Sequence, residues 1–230
     1  MPDRPRSVML FAAGFGTRMG ALTAERPKPM IEVAGRPLID HALSLVRAHR
    51  PERIVANVHY RPDPLIRHLE GSEVIISHET PDILETGGGL RAALPHLGEG
   101  PVFTMNTDAV WSGPNPLDLL FDLWQPARMD ALLLCVPRQN AIGHSGQGDF
   151  IVRGDAPARR GPGQIYTGLQ ILRTDLLHDI QNRAFSLNVL WDRMLTRNRL
   201  FAASYPGRWC DVGRPEGIAL AEEMLGYRNV

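Results

Sequence analysis

Lysine is almost missing from this sequence. Of 25 basic residues, 24 are Arg and one is Lys, which is Lys28 in Pro27-Lys28-Pro29. Either one Lys sits there by chance, or that site needs a compact ammonium instead of a planar guanidinium fork. Net charge is missing as well: 25 basic residues face 25 acidic ones, with a pI near 7.1. A general nucleic-acid binder carries a basic excess, so no nucleic-acid partner is expected. The longest apolar runs, Val8–Ala13 and Ala131–Val136, have six residues. A membrane-crossing helix needs ~20, so no membrane partner is expected. Met1–Arg6 is charged, and the apolar stretch behind it runs quickly into glycines, a poor match to a secretory leader. There are two cysteines, Cys135 and Cys210, far apart. Cys135 lies in Leu-Leu-Leu-Cys-Val and reads as a small buried apolar residue. With no disulfide pattern, a reducing, cytoplasmic location is the expectation. The eight His residues lack His-Glu-x-x-His or any paired metal spacing. Gly143-His144-Ser145-Gly146-Gln147 is not a nucleophile elbow, because position 147 is Gln.

What is present fits an ordinary globular chain of 230 residues, 43% hydrophobic and 22% charged. Val8–Ala12 reads as a buried strand entering a Gly loop. Pro37–Arg50 has helical spacing, with Leu38, Ala42, Leu45 and Val46 on one stripe. Arg53–Val58 and Val74–Ser77 read as strands around a short helix at Asp63–Leu69. A helix entered through Thr86-Gly87-Gly88-Gly89 and a strand at Val102–Met105 follow. This alternation over the first 108 residues implies a doubly wound, parallel α/β sheet. Later on, Pro116–Trp124, Leu187–Asn198 and Pro215–Leu225 read as helices. Asp130–Val136, Phe150–Val152 and Gln164–Leu172 read as strands. Leu187, Leu190, Trp191, Met194 and Leu195 form a stripe that reads as core. The expected architecture is one α/β domain over 1–230 whose second half supplies a lid or acceptor pocket.

The strongest local signal is Ala12-Ala13-Gly14-Phe15-Gly16-Thr17-Arg18-Met19, directly after the first strand. Backbone N–H groups of a Gly-rich turn can cradle phosphates. The dinucleotide pattern Gly-x-Gly-x-x-Gly fails at Met19, and no Gly-Lys-Ser/Thr triplet exists. Arg18 closes the loop and Pro27-Lys28-Pro29 follows ten residues later. The prolines fix φ around Lys28, so an extended segment is expected there. An Arg and a Lys converging on one loop suit the charge of a triphosphate.

Gly14-x-Gly16-Thr17-Arg18-Met19, Pro27-Lys28-Pro29-Met30 and Val33-Ala34-Gly35-Arg36-Pro37-Leu38-Ile39 together resemble the sugar-1-phosphate nucleotidyltransferase family. The resemblance implies a doubly wound, mostly parallel Rossmann-like nucleotidyltransferase fold. It also implies a nucleotide-binding half at 1–110 and a sugar-phosphate-binding half at 111–230. Its partners are a nucleoside triphosphate and a sugar 1-phosphate, and its cofactor is Mg²⁺. Arg18 and Lys28 become the catalytic cations. Ala12, Ala13, Gly14, Gly16, Thr17, Glu85, Thr86, Gly87, Gly88 and Asn106 become nucleotide contacts. Asp108, and Asp211 of Trp209-Cys210-Asp211-Val212-Gly213, become the metal ligands. Gly148, Asp149, Tyr166, Thr167 and Gly168 become sugar contacts. Many relatives carry a Glu-Lys-Pro for the sugar phosphate, which this chain cannot supply without a second Lys. Arg153, Arg159 and Arg160 either replace it or are solvated loop charges. Leu84-Glu85-Thr86-Gly87-Gly88-Gly89 and Gly148-Asp149-Phe150 are most similar to N-acetylmuramate 1-phosphate uridylyltransferases. Heptose- or mannose-1-phosphate guanylyltransferases are the alternative. A nucleotide-sugar binding protein without turnover, or a transferase acting on phosphocholine, are the readings from other classes.

Overall fold

The computed structural model describes residues 3–227, so the first two residues of the charged Met1–Arg6 stretch lie outside it. The chain opens with β1 (Ser7–Phe11), a short ribbon of β2 (Glu32–Val33) and β3 (Arg36–Pro37), and α1 (Leu38–His49). Next come β4 (Arg53–Val58), α2 (Pro62–Leu69), β5 (Val74–His78), α3 (Glu85–Leu97), β6 (Val102–Asn106) and β7 (Ala109–Ser112). The second half contains α4 (Pro116–Leu123), β8 (Ala131–Val136), β9 (Ala141–Ile142), β10 (Phe150–Ile151), β11 (Arg159–Arg160) and β12 (Ile165–Leu172). It closes with α5 (Asn188–Thr196), β13 (Leu200–Ser204), β14 (Arg208–Asp211) and α6 (Glu216–Met224).

Seven strands form the central sheet in the order β13-β8-β12-β6-β1-β4-β5. β5, β4, β1 and β6 run parallel, as do β13 and β8. β12 alone is antiparallel, lying between β6 and β8. Both faces of the sheet are covered, and the alternation along each strand says how. Val8 and Leu10 face one apolar cluster with α1, α2 and α4. Met9 faces the other, with α3 and α5. The expected α/β, mostly parallel sheet is therefore the observed one.

The early elements match the sequence pattern closely. The later strands β7, β13 and β14 were not expected from it. β14 pairs antiparallel with β7 and parallel with β9 in a separate three-stranded sheet. None of these strands carries a two-residue alternation long enough to stand out. No helix among the described residues is long and apolar enough to cross a membrane.

Candidate active site

After β5 the chain crosses back to β6 on the other side of β1. The carboxyl ends of β1 and β6 thus flank the point where winding reverses, where open α/β sheets bind ligands. A cavity of about 280 Å³ opens there. Ala12, Ala13, Gly14, Gly16, Thr17 and Arg18 line it from the β1 side, and Asn106, Thr107 and Asp108 from the β6 side. Lys28, Glu85 and Thr86 line it as well.

The loop is held from beneath. Asn57 at the end of β4 accepts the Ala12 N–H through Oδ1 at 2.7 Å and donates Nδ2 to Glu79 Oε1 at 2.6 Å. Glu79 accepts the Leu84 N–H on its other oxygen at 2.7 Å. One buried carboxylate therefore ties the β1 loop to the start of α3. Asn57, Glu79 and Thr107 were not singled out from sequence, because each looks like an ordinary polar residue at a strand end. Gly16 adopts φ +63°, and a Cβ there would come within 2.9 Å of Thr23 Cγ2 and 3.1 Å of Lys28 Cβ. Its hydrogen atom lets the loop pack on the Lys28 segment. Met19, where the dinucleotide pattern needs Gly, is 1% exposed and buried with Val33, Leu38, Val212 and Met224.

Lys28 is not in an extended segment. Pro27 is extended, but Lys28–Met30 form a single 3₁₀ turn, closed by the Met30 N–H on Pro27 O and the Ile31 N–H on Lys28 O. Pro29 lacks an N–H only where a first turn needs none. The turn leaves Lys28 8% exposed, with Nζ 2.7 Å from Asp108 Oδ2. Asp211 reaches the same end of the sheet through the β7–β14 pairing. It stands opposite Ala109, and the Val212 N–H donates to Asp108 O at 2.9 Å. Burial, then the negative charge of Asp108, push the Asp211 carboxyl above its ordinary range, opposed by Lys28, Arg18 and His144. Arg18 lines both the main cavity and a small pocket shared with Asp211 and His144.

Gly87 and Gly88 do not line the cavity. Their N–H groups donate to Phe185 O, at 2.8 and 3.1 Å, and a Cβ on Gly87 would overlap the Phe185 ring. These glycines are needed for the close approach of the 183–185 loop, so the expectation that they read a base edge does not hold for their N–H groups. Glu85 beside them does line the cavity, with φ +58°, a region sparsely used by residues other than glycine.

A second cavity of about 380 Å³ adjoins the first, sharing Phe11, Thr86 and Asn106. Asp149 and Tyr166 line it, as do Phe150, Arg160, Asn188 and Trp191. Of the expected sugar contacts, Gly148, Thr167 and Gly168 do not. Gly148 (φ +101°) packs on the Gly163 backbone. The Thr167 hydroxyl donates to Leu134 O inside the core. Gly168 (φ +83°) makes room for the Asn106 side chain. Trp191 is a core residue, as its stripe implies, and also a cavity wall. Its Nε1 donates to Gln170 Oε1, whose Nε2 donates to Thr104 Oγ1, so a buried chain of polar groups fixes the indole. Arg153 and Arg159 are exposed and do not line this cavity. Arg160 is exposed too but does line it, which favours the first of the two readings for this residue alone.

A Gly-rich loop, one ammonium and two carboxylates brought to one sheet switch point suit the binding of a nucleotide's phosphates. Comparison with known proteins agrees. Residues 8–177 match the MobA-like NTP transferase domain, and the chain belongs to that family. It is 37% identical to N-acetylmuramate alpha-1-phosphate uridylyltransferase of Caulobacter vibrioides, over 98% of this chain and 99% of that one. It is 29% identical to the protein of the same name from Neisseria meningitidis, over 95% and 97%. HddC from Yersinia pseudotuberculosis, crystallised with GMP-PN, has the same fold. Its TM-score is 0.76 at 21% identity, covering 94% of this chain and 98% of that one. The chain is an enzyme of the sugar-phosphate nucleotidyltransferase type.

Proposed function

We propose that this enzyme transfers a uridylyl group from UTP to N-acetylmuramate 1-phosphate, forming the nucleotide sugar and releasing pyrophosphate. The observation that carries the reading is the convergence of Arg18, Lys28, Asp108 and Asp211 at one sheet end, in a chain 37% identical to a uridylyltransferase along its whole length. The 1–110 half holds the nucleotide and the 111–230 half holds the sugar.

An oxygen of the sugar phosphate attacks the α-phosphorus of UTP in line, and the bond to the β-phosphate oxygen breaks. The attacking oxygen is already anionic, so no general base is needed. What remains is positioning and charge neutralisation. Arg18 binds the β- and γ-phosphates and stabilises the leaving pyrophosphate. Lys28 leaves Asp108 to bridge the α-phosphate and the incoming phosphate. Ala12, Ala13, Gly14, Gly16 and Thr17 bring backbone N–H groups close to the phosphates. Glu85, Thr86 and Asn106 frame the nucleoside, while Asp149 and Tyr166 contact the sugar.

Asp108 and Asp211 fit a divalent cation such as Mg²⁺. No cluster of three or more His, Cys, Asp and Glu side chains suited to a metal exists among the described residues. A hard ion held by these two carboxylates would draw the rest of its ligands from phosphate oxygens and water. Burial first and the Asp108 charge second raise the Asp211 carboxyl, and a cation between the two carboxylates would offset both. When bound, the ion supplies Lewis-acid stabilisation of the phosphate charge.

The test is pyrophosphate release across UTP, GTP, CTP and dTTP, each with N-acetylmuramate, mannose and heptose 1-phosphates and with phosphocholine. The fastest release is expected with UTP and N-acetylmuramate 1-phosphate. Faster release with GTP and mannose or heptose 1-phosphate would replace this assignment. Tight binding without release under any pairing would make the protein a binding module.

A further inference from the structure

The acceptor in this reading carries two anions. One is the 1-phosphate. The other is the carboxylate of the lactyl ether at O3, which the parent N-acetylglucosamine 1-phosphate lacks. Lys28 is the chain's one lysine and belongs to the phosphate end. A second anion therefore needs a guanidinium, and the second cavity has one on its wall.

We propose that Arg160 recognises the lactyl carboxylate and so selects an acidic sugar over its neutral parent. This rests on the reading above and deepens it. The second cavity shares walls with the first, so an acceptor whose phosphate meets Lys28 extends into it. Two charged side chains line this second space, Arg160 and Asp149. Asp149 accepts the Tyr166 N–H on Oδ2 at 2.8 Å. Its other oxygen suits sugar hydroxyls and would repel an anion, which leaves the carboxylate to Arg160.

Arg160 is held ready for that contact. It lies on the β10–β11 hairpin, with its guanidinium over the Phe150 ring at 5.6 Å and the Trp191 ring at 5.9 Å. Nε and Nη2 donate to Asp192 Oδ1 at 3.2 and 2.9 Å, and Nη2 also donates to Asn188 Oδ1 at 2.9 Å. Nη1 makes no hydrogen bond among the described residues. The pair with Asp192 is solvent-exposed and therefore weak, so it orients the group without cancelling its charge. Ser186, Leu187 and Asn188 bring the start of α5 to the same wall, where the helix dipole also favours an anion. A planar guanidinium that is already stacked and oriented loses little entropy on taking a carboxylate.

The experiment compares N-acetylmuramate 1-phosphate with N-acetylglucosamine 1-phosphate, each with UTP, in the wild type, Arg160→Gln and Arg160→Lys. Pyrophosphate release gives kcat and KM. The wild type should favour the carboxylated acceptor. Arg160→Gln should lower kcat/KM for it by about 10- to 100-fold, the scale of a lost charged hydrogen bond, mainly through KM. The neutral acceptor should fall far less, and the KM for UTP should hold, which certifies an intact fold. Arg160→Lys should recover part of the preference. Equal losses on both acceptors, or a wild type indifferent to the carboxylate, overturn the proposal. A wild type active only with other sugar phosphates sinks the substrate reading first, and this inference with it.

Discussion

The two cavities adjoin but are built differently. The first cavity sits on the loop after β1 and the end of β6, braced by the buried Asn57–Glu79 pair, with the charged side chains of Arg18, Lys28 and Asp108 on its wall. The second cavity is lined by side chains from a two-strand hairpin, β12 and the entry to α5. The first has little freedom to vary, because a change there moves main chain. The second can change its ligand by changing a side chain. On the proposed reading, chemistry common to the class belongs in the first region and selectivity in the second.

Substitutions can break or sharpen that contrast. Asp108→Asn should have the largest effect, since it removes one of two carboxylates that would hold the ion. Turnover should fall to background at every Mg²⁺ concentration, and a normal metal titration would refute the assignment. Lys28→Ala should lower kcat/KM by a factor on the order of 10²–10⁴, the scale of lost transition-state charge stabilisation. Lys28→Arg should do little better, because a planar fork does not reproduce a compact ammonium on a side chain only 8% exposed and 2.7 Å from Asp108. Gly87→Ala should destabilise the fold by about 1–3 kcal/mol, read by chemical denaturation, because the added methyl overlaps Phe185. No comparable loss is expected from Asp149→Asn, which should raise the acceptor KM several-fold and leave the KM for UTP alone.

The smallest effect concerns stability and pH. The Asp211 carboxyl is raised in the folded protein, so the fold favours its protonated form. That contribution is present below the unfolded Asp range and is lost as pH rises through the raised value. Asp211→Asn should therefore have a higher Tm than the wild type near pH 7, converging on it in acid, while losing turnover. A Tm that falls at neutral pH would mean that Lys28 and Arg18 more than offset the burial of the charge.

The first half of the chain was legible because its elements are long, periodic and local. Val8–Phe11, the α1 stripe and Arg53–Val58 each show their burial pattern within a dozen residues. Lys28 was legible as the one lysine, bracketed by prolines, although its turn was not. The glycines at 87, 88, 148 and 168 misled, since a glycine forced by another backbone reads the same as one that admits a ligand. Trp191 was legible as core and not as a cavity wall, because one side chain serves both.

The sequence by itself pointed to the class of chemistry. A Gly loop after a strand, with Arg18 and a proline-bracketed Lys28 beside it, suits a phosphate-bearing ligand, because charge and backbone freedom are local properties; Asp108 and Asp211 were marked by the family resemblance. Only the tertiary structure decided which groups meet. Asp211 is brought beside Asp108 by pairing with Ala109, 102 residues away, unmarked by any periodicity. Arg160 differs from Arg153 and Arg159 only in where the β10–β11 hairpin points it. Contacts between distant segments depend on packing that no short pattern encodes, and the proposed selectivity of this enzyme rests on such contacts.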